Sequence, residues 1–259
     1  MTRSVFTQTI TEQRRGLIGW SVALFAVPMI YVPSYSTFKE QGALDIEGGG
    51  FYDALGMGDF GTATGYLEST MFALMGPLLL LIFAITFATR TAAQEDSGTL
   101  DLLLAQPIDR ANLLLQRCAA FAAQTSVVVT VFGLAVLAGA ASADMGIPAG
   151  NILAAVAGLG LLTLTVGAIT LLAGAATGHR GTALAVAALV AVLGYLANNL
   201  GGMIDGAQWL RRLSPFYYAG GDSPLVNGWN IGYLAVLVVL VAIAVGLSLA
   251  AFDRRDLAV

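Results

Sequence analysis

The stretch EDSGTLDLLLAQPIDR, Glu95–Arg110, is a charged segment that lies between two long apolar runs. Its own pattern is helical. Asp96 or Ser97 can cap a short helix, because a side-chain oxygen there accepts from free backbone N–H groups. Leu100, Leu103 and Leu104 follow at i, i+3 and i+4 and form one apolar face. Pro107 stops the helix by biasing the residue before it away from helical angles. Asp109 can cap the helix that follows. Two helices therefore meet at an elbow, with Glu95, Asp101 and Arg110 at its ends.

The flanks of this elbow decide the fold class. Residues 67–88 precede it and residues 113–140 follow it, both long enough for the roughly 20 residues that carry a helix across a bilayer. Four similar runs lie at 17–35, 147–176, 182–200 and 231–252. The chain of 259 residues is 57% hydrophobic and only 11% charged, against about 25% charged in a soluble domain. The expectation is an all-α integral membrane protein with six transmembrane helices in a single domain, residues 1–259.

Basic residues in short loops set orientation. With the N-terminus inside, Arg3, Arg14, Arg15, Arg90, Arg110, Arg117, Arg180, Arg254 and Arg255 face the cytosol, and Lys39, Arg211 and Arg212 face outward. The elbow is then cytosolic, as are both termini, and the protein sits in the cytoplasmic membrane. The first run is too long for a signal-peptide core and has no small-residue cleavage site after it, so it reads as a retained helix.

Other segments carry their own signals. Residues 2–16 place Val5, Phe6, Thr9, Ile10 and Gln13 on one side at helical spacing, which suggests an amphipathic helix along the inner membrane surface; a frayed tail is the alternative. Residues 36–66 form a glycine-rich, acidic external loop with a short helix expected near Phe51–Leu55. Residues 201–229 contain Trp209, Pro215, Phe216 and Tyr217, a composition suited to a segment that dips into the outer leaflet and returns, with Arg211 and Arg212 at the water boundary. An ordinary surface loop is the alternative there.

Much chemistry is absent. No run centre holds an ionisable residue, the usual mark of ion-coupled carriers and proton relays. No phosphate-binding glycine loop is present, so the chain supplies no ATPase of its own and is not read as an enzyme. The lone Cys118 excludes an intramolecular disulfide and a cysteine-cluster metal site. His179 reads as a solvated loop residue. No metal site and no bound cofactor are expected, and with a net charge of −4 and no basic patch, no nucleic acid. Mild polar residues inside the runs, among them Thr86, Gln124, Thr125, Ser126, Thr130, Thr163, Thr165 and Thr170, read as helix-internal or helix–helix bonding. Asn198 and Asn199, near one end of the fifth run, either line a pathway or bond between helices. Gly174 and Gly178 have a spacing that permits close helix approach.

The elbow resembles a motif of the permease subunits of ABC-2-type ABC transporters, E-x-x-G-T-L-x-x-L-L-x-x-P-x-x-R. The matching residues are Glu95, Gly98, Thr99, Leu100, Leu103, Leu104, Pro107 and Arg110. The segment LSPFYYAGGDSPLVNG and the ending FDRRDLAV are also similar to the family's. The resemblance implies six spans, pairing with a second permease copy or a related permease, and a cytosolic ATP-binding subunit that holds ATP and Mg. It implies that residues 91–110, including Asp96 and Ser97, are the coupling helix that docks on that subunit. It also implies short external re-entrant helices before the last span, and export as the direction of transport. Two other functions compete with this one: a membrane anchor or sensor that recruits a cytosolic partner without transport, and a secondary carrier.

Overall fold

The computed structural model describes residues 4–41, 61–90, 92–93, 110–204 and 208–254. The elbow from Glu95 to Pro107 lies outside the described residues, as do the expected helix at Phe51–Leu55 and the last five residues. The described chain is helical, with six helices long and apolar enough to cross a membrane.

Helix α1 runs from Val5 to Tyr31, capped by Ser4, whose hydroxyl accepts from the Thr7 N–H. The expected amphipathic segment leads directly into the first span. It forms the first turns of α1 without a break: no proline lies between Val5 and Leu17, and the contacts of Val5 and Phe6 with the helix that begins at Arg110 hold it despite Gly16. At 27 residues α1 is about 40 Å long, more than the hydrocarbon thickness of a bilayer. Its extra turns are held by protein: Val5 is buried with Leu113, Leu114, Ala175 and Phe252, and the Phe6 N–H donates to Gln116 Oε1 at 3.0 Å.

After α2 (Ser34–Glu40), the second span is built in three pieces: α3 (Ala63–Leu67), a π-helical segment (Glu68–Met75) and α4 (Gly76–Ala88). The wide turn has a local cause. Pro77 cannot donate, and its ring crowds the carbonyl one turn back. The Gly76 N–H accordingly reaches five residues back to Met71 O.

The remaining spans are α5 (Arg110–Ser142), α6 (Ala149–Thr177), α7 (Arg180–Met203) and α11 (Ile231–Arg254). Between α7 and α11 lie three short helices, α8 (Gln208–Leu213), α9 (Pro215–Gly220) and α10 (Pro224–Asn227). Helix α6 is the centre. It packs against α4, α5, α7, α9, α10 and α11, whereas α1 leans chiefly on α5. Phe83, Phe87, Phe121 and Trp20 form an aromatic seam joining α1, α4 and α5, with Phe83 and Phe87 centroids 4.4 Å apart.

Small residues let α6 take so many neighbours. A Cβ at Gly158 would overlap the Ala219 carbonyl oxygen, and one at Gly167 would overlap the Phe121 ring. The Gly174–Gly178 pair divides its work: Gly174 faces Ala92 within the bundle, while Gly178 ends α6 in a left-handed conformation, its N–H bonded to Gly174 O. Thr86, Ser126, Thr130, Thr163, Thr165 and Thr170 all bond the carbonyl one turn back in their own helices. Gln124 and Thr125 do not follow this pattern, and Gln124 Nε2 and Thr125 Oγ1 have no partner among the described residues.

Gly167→Leu and Gly158→Val are expected to destabilise the bundle by about 1–3 kcal/mol or more, the cost of overpacking. Gly246→Ala, where a Cβ meets nothing within 4 Å, is the control and is expected to hold or raise the melting temperature. Thermal unfolding of detergent-solubilised protein measures this, and equal melting curves for all three would refute close packing at α6.

Candidate functional site

The three short helices do not lie flat across the bundle. Asn151, in the first turn of α6, donates to the carbonyls of Leu225 and Val226 in α10 at 3.0 and 3.1 Å. Gly158, nine residues into α6, meets Ala219 of α9. Gly194, nine residues before the end of α7, meets Ser214 and Phe216. Nine helical residues are about 13 Å. Helix α9 therefore descends between α6 and α7 to that depth from their ends.

Several bonds fix it there. The Ser214 hydroxyl donates to Gly194 O at 2.7 Å and accepts from the Phe216 N–H at 3.1 Å, so one side chain caps α9 and ties it to α7. The buried Phe216 ring stands edge-on to Tyr195, with centroids 5.8 Å apart. Behind α9, the hydroxyls of Tyr217 and Tyr233 are 2.8 Å apart, which joins it to α11, and the Tyr218 hydroxyl donates to Arg212 O. Asn230 opens α11 by accepting from the Tyr233 N–H, and its amide donates to Asp222. These are short, local bonds, and they hold a segment too small to form a core of its own.

Between α9, the π-helical segment and the facing sides of α6 and α7 lies a cavity of about 220 Å³. Phe72, Pro77, Leu159, Leu162 and Phe216 supply its apolar surface. Glu68, Tyr195, Asn198, Asn199, Arg211 and Ser223 supply its polar surface. Helix α8 is divided by this arrangement. Arg211 lines the cavity, while Leu210 and Leu213 line an apolar groove on another face of α7. The Arg211 guanidinium also sits over the Tyr217 ring, 5.4 Å from its centroid.

Three of the lining residues are incompletely satisfied. Tyr195 Oη, Asn198 Oδ1 and Arg211 Nε are buried with no hydrogen-bond partner among the described residues. A buried polar atom left without a partner costs about 1–3 kcal/mol, more when charged. Folding alone does not favour such a cluster, and here, unlike at Gln124 and Thr125, the atoms line a cavity that water or a ligand could enter.

Of the residues singled out in the sequence, Asn198, Asn199 and Phe216 come together at this cavity. The two asparagines contact each other at 3.4 Å and bond to no neighbouring helix among the described residues. Tyr217 lies behind the cavity, Pro215 begins α9, and Trp209 is exposed on α8. Arg211 is not at the periphery with Arg212, because the descent of α8 into α9 turns it towards α7. Sequence reasoning missed Glu68 and Tyr195. For Tyr195 a signal existed: with Asn198 and Asn199 it makes a polar stripe at i, i+3 and i+4 on an otherwise apolar helix. Glu68 gave none, because its position depends on the π turn. No group of His, Cys, Asp and Glu suited to a metal occurs among the described residues.

The coupling-elbow residues Glu95, Asp96, Ser97, Gly98, Thr99, Leu100, Leu103, Leu104 and Pro107 lie outside the described residues, and Arg110 opens α5. The flanks of the elbow are described. Ala92 before it is buried against Ala173 and Ala183, at the end of α6 and the start of α7. Leu113 and Leu114 after it are buried with Val5, Ala175 and Phe252.

Removing the Ser214 hydroxyl by Ser214→Ala should cost about 1–2 kcal/mol and loosen α9 locally. Hydrogen exchange of residues 215–220 is expected to speed up while that of α6 stays slow; unchanged exchange in 215–220 would show that Ser214 is not what holds the segment down.

The family described as "Multidrug efflux system permease Rv1217c, C-terminal domain" matches residues 3–253. No curated protein matches the chain.

Proposed function

The chain belongs to the family of that efflux permease domain, and from this we propose that it is the membrane subunit of an ATP-driven export complex of the ABC-2 type. A multi-pass membrane protein of a permease family is a transport subunit. In the proposed complex, energy comes from a separate cytosolic subunit that binds ATP and Mg. Two permease chains, either two copies or this chain and a related one, enclose the pathway. Residues 91–110 form the coupling helix, the termini are cytosolic, and the cavity beneath α9 lies at the outward end.

The observation that supports this best is the anchoring of the elbow's two stems. Ala92 touches the ends of α6 and α7, and Leu113 and Leu114 touch α1, α6 and α11. A push on the elbow therefore reaches four spans besides its own two through packed side chains, which is what a coupling element requires. A loop serving only to connect two spans has no need of such seating. Because the chain carries no nucleotide-binding motif, the push has to come from a partner. The division of labour is then rigid-body rocking of spans driven from one end.

Co-purification tests the assignment. An ATP-binding subunit encoded beside this chain should be retained by the wild-type permease and lost with Leu103→Asp or Leu104→Asp, with the amount and size-exclusion profile of the permease unchanged. Retention of the subunit by both variants would overturn the docking role of the elbow.

A further inference from the structure

We propose that the cavity beneath α9 is a recognition site for an oxyanion, a carboxylate or phosphate that carries an adjacent ammonium or hydroxyl donor, at the polar end of an amphipathic molecule. The proposal deepens the transport reading, but the binding it describes does not depend on an ATPase. The size of the cavity comes first. About 220 Å³ is below the roughly 300–1,000 Å³ of pockets that enclose drug-sized ligands. It takes a headgroup or a single substituent, so the site reads one end of a molecule rather than its whole shape.

The charges select the kind of end. Arg211 is permanently charged and planar, and its fork of donors matches an oxyanion. It has no carboxylate partner among the described residues, and its Nε is unpaired. Tyr195 Oη, also unpaired, can donate to a second oxygen. Asn198 Oδ1 is an acceptor with no partner among the described residues, and the Glu68 carboxylate, which accepts from the Ser223 hydroxyl at 3.4 Å, lines the same cavity. The Asn198 acceptor favours an anion with a donor beside it over a bare one. A purely cationic end fits poorly, because it would bring charge to Arg211. The apolar surface from Phe72, Leu159 and Phe216 suits the carbon atoms next to such a group. A ligand of this type would supply partners for three atoms that have none among the described residues.

Binding to the solubilised full-length chain tests this, with phosphoethanolamine as soluble probe, its single-chain lysolipid as membrane probe, and ethanolamine and dodecyltrimethylammonium as cationic controls. Phosphoethanolamine or its lysolipid should raise the melting temperature in a saturable way, and the cations should not. Response to the lysolipid alone assigns the site to a lipid headgroup; response to both assigns it to the polar group whatever carries it. Arg211→Gln should weaken binding by about tenfold or more, and Arg211→Lys should keep part of it. Tyr195→Phe should weaken binding yet raise the melting temperature of the ligand-free chain, because it deletes an unpaired buried hydroxyl. A residue of merely structural use would lose both together. Equal response to the cations, unchanged affinity in Arg211→Gln, or no binding of either phosphate probe would overturn the proposal. None of these outcomes alters whether the ATP-binding subunit co-purifies, so the two readings fail separately.

Discussion

The close approach that glycine permits on α6 is the constraint on which the rest of the bundle depends. Lipid tails are as apolar as leucine, so helices gain little by hiding apolar surface from them and associate through packing instead. Helix α6 meets this by being narrow. Where Gly158 lies, the backbone of α9 comes to touch it; where Gly167 lies, the Phe121 ring fills the space. Four spans and two short helices surround a single helix because it presents so little side chain. The large aromatic residues are displaced to the α1–α4–α5 side, where rings of Phe83, Phe87 and Phe121 fill what small residues would leave open.

The descent of α9 follows from that constraint. A helix of six residues has too little hydrogen bonding of its own to be stable alone. It persists because Ser214 caps it, Gly194 leaves room for Phe216, and Tyr217 is bonded to Tyr233. The cavity is a consequence of the same geometry. Helix α9 reaches the Ala219–Gly158 contact on one side and the Ser214–Gly194 contact on the other, and the π turn in the second span widens the wall opposite. What remains between them is too polar to be a packing fault and too small to hold a whole drug-sized molecule.

The six spans were legible because each is a long, nearly continuous apolar run, and each run coincides to within a few residues with one of the six helices long and apolar enough to cross a membrane. The breaks around 201–229 were legible in kind, from Trp209, Pro215, Phe216 and Tyr217, but not in depth. Depth depends on Gly194 and Gly158, which are distant in sequence and look like ordinary glycines of an alanine-rich span. The amphipathic pattern of residues 2–16 was legible too, and the structure carries it into α1 as one helix from Val5 to Tyr31. What the sequence did not show is what holds those first turns: Val5 is buried with Leu113 and Leu114, and the Phe6 N–H donates to Gln116 of α5. At the cavity, the asparagines showed in the sequence as polar residues in an apolar run. Arg211 and Glu68 did not, because a charged residue near a span end has an obvious place in water, and only tertiary contacts turn it inward.

The two ends of the bundle are joined by the same helices. Ala173 and Gly174 of α6, with Ala183 of α7, receive the second span where the elbow begins. Gly158 of α6 and Gly194 of α7 receive α9 at the other end. Any displacement of the elbow stem thus bears on the two helices that form the cavity's walls. Both are regular and therefore stiff, and they transmit movement more readily than they absorb it. The second span differs. Its π segment, which ends before Gly76 and Pro77, departs from regular α-helical bonding. It also carries Glu68 and Phe72 into the cavity. Relaxing that wide turn towards α-helix would rotate those two side chains relative to Pro77 while the seams at α6 and α7 hold.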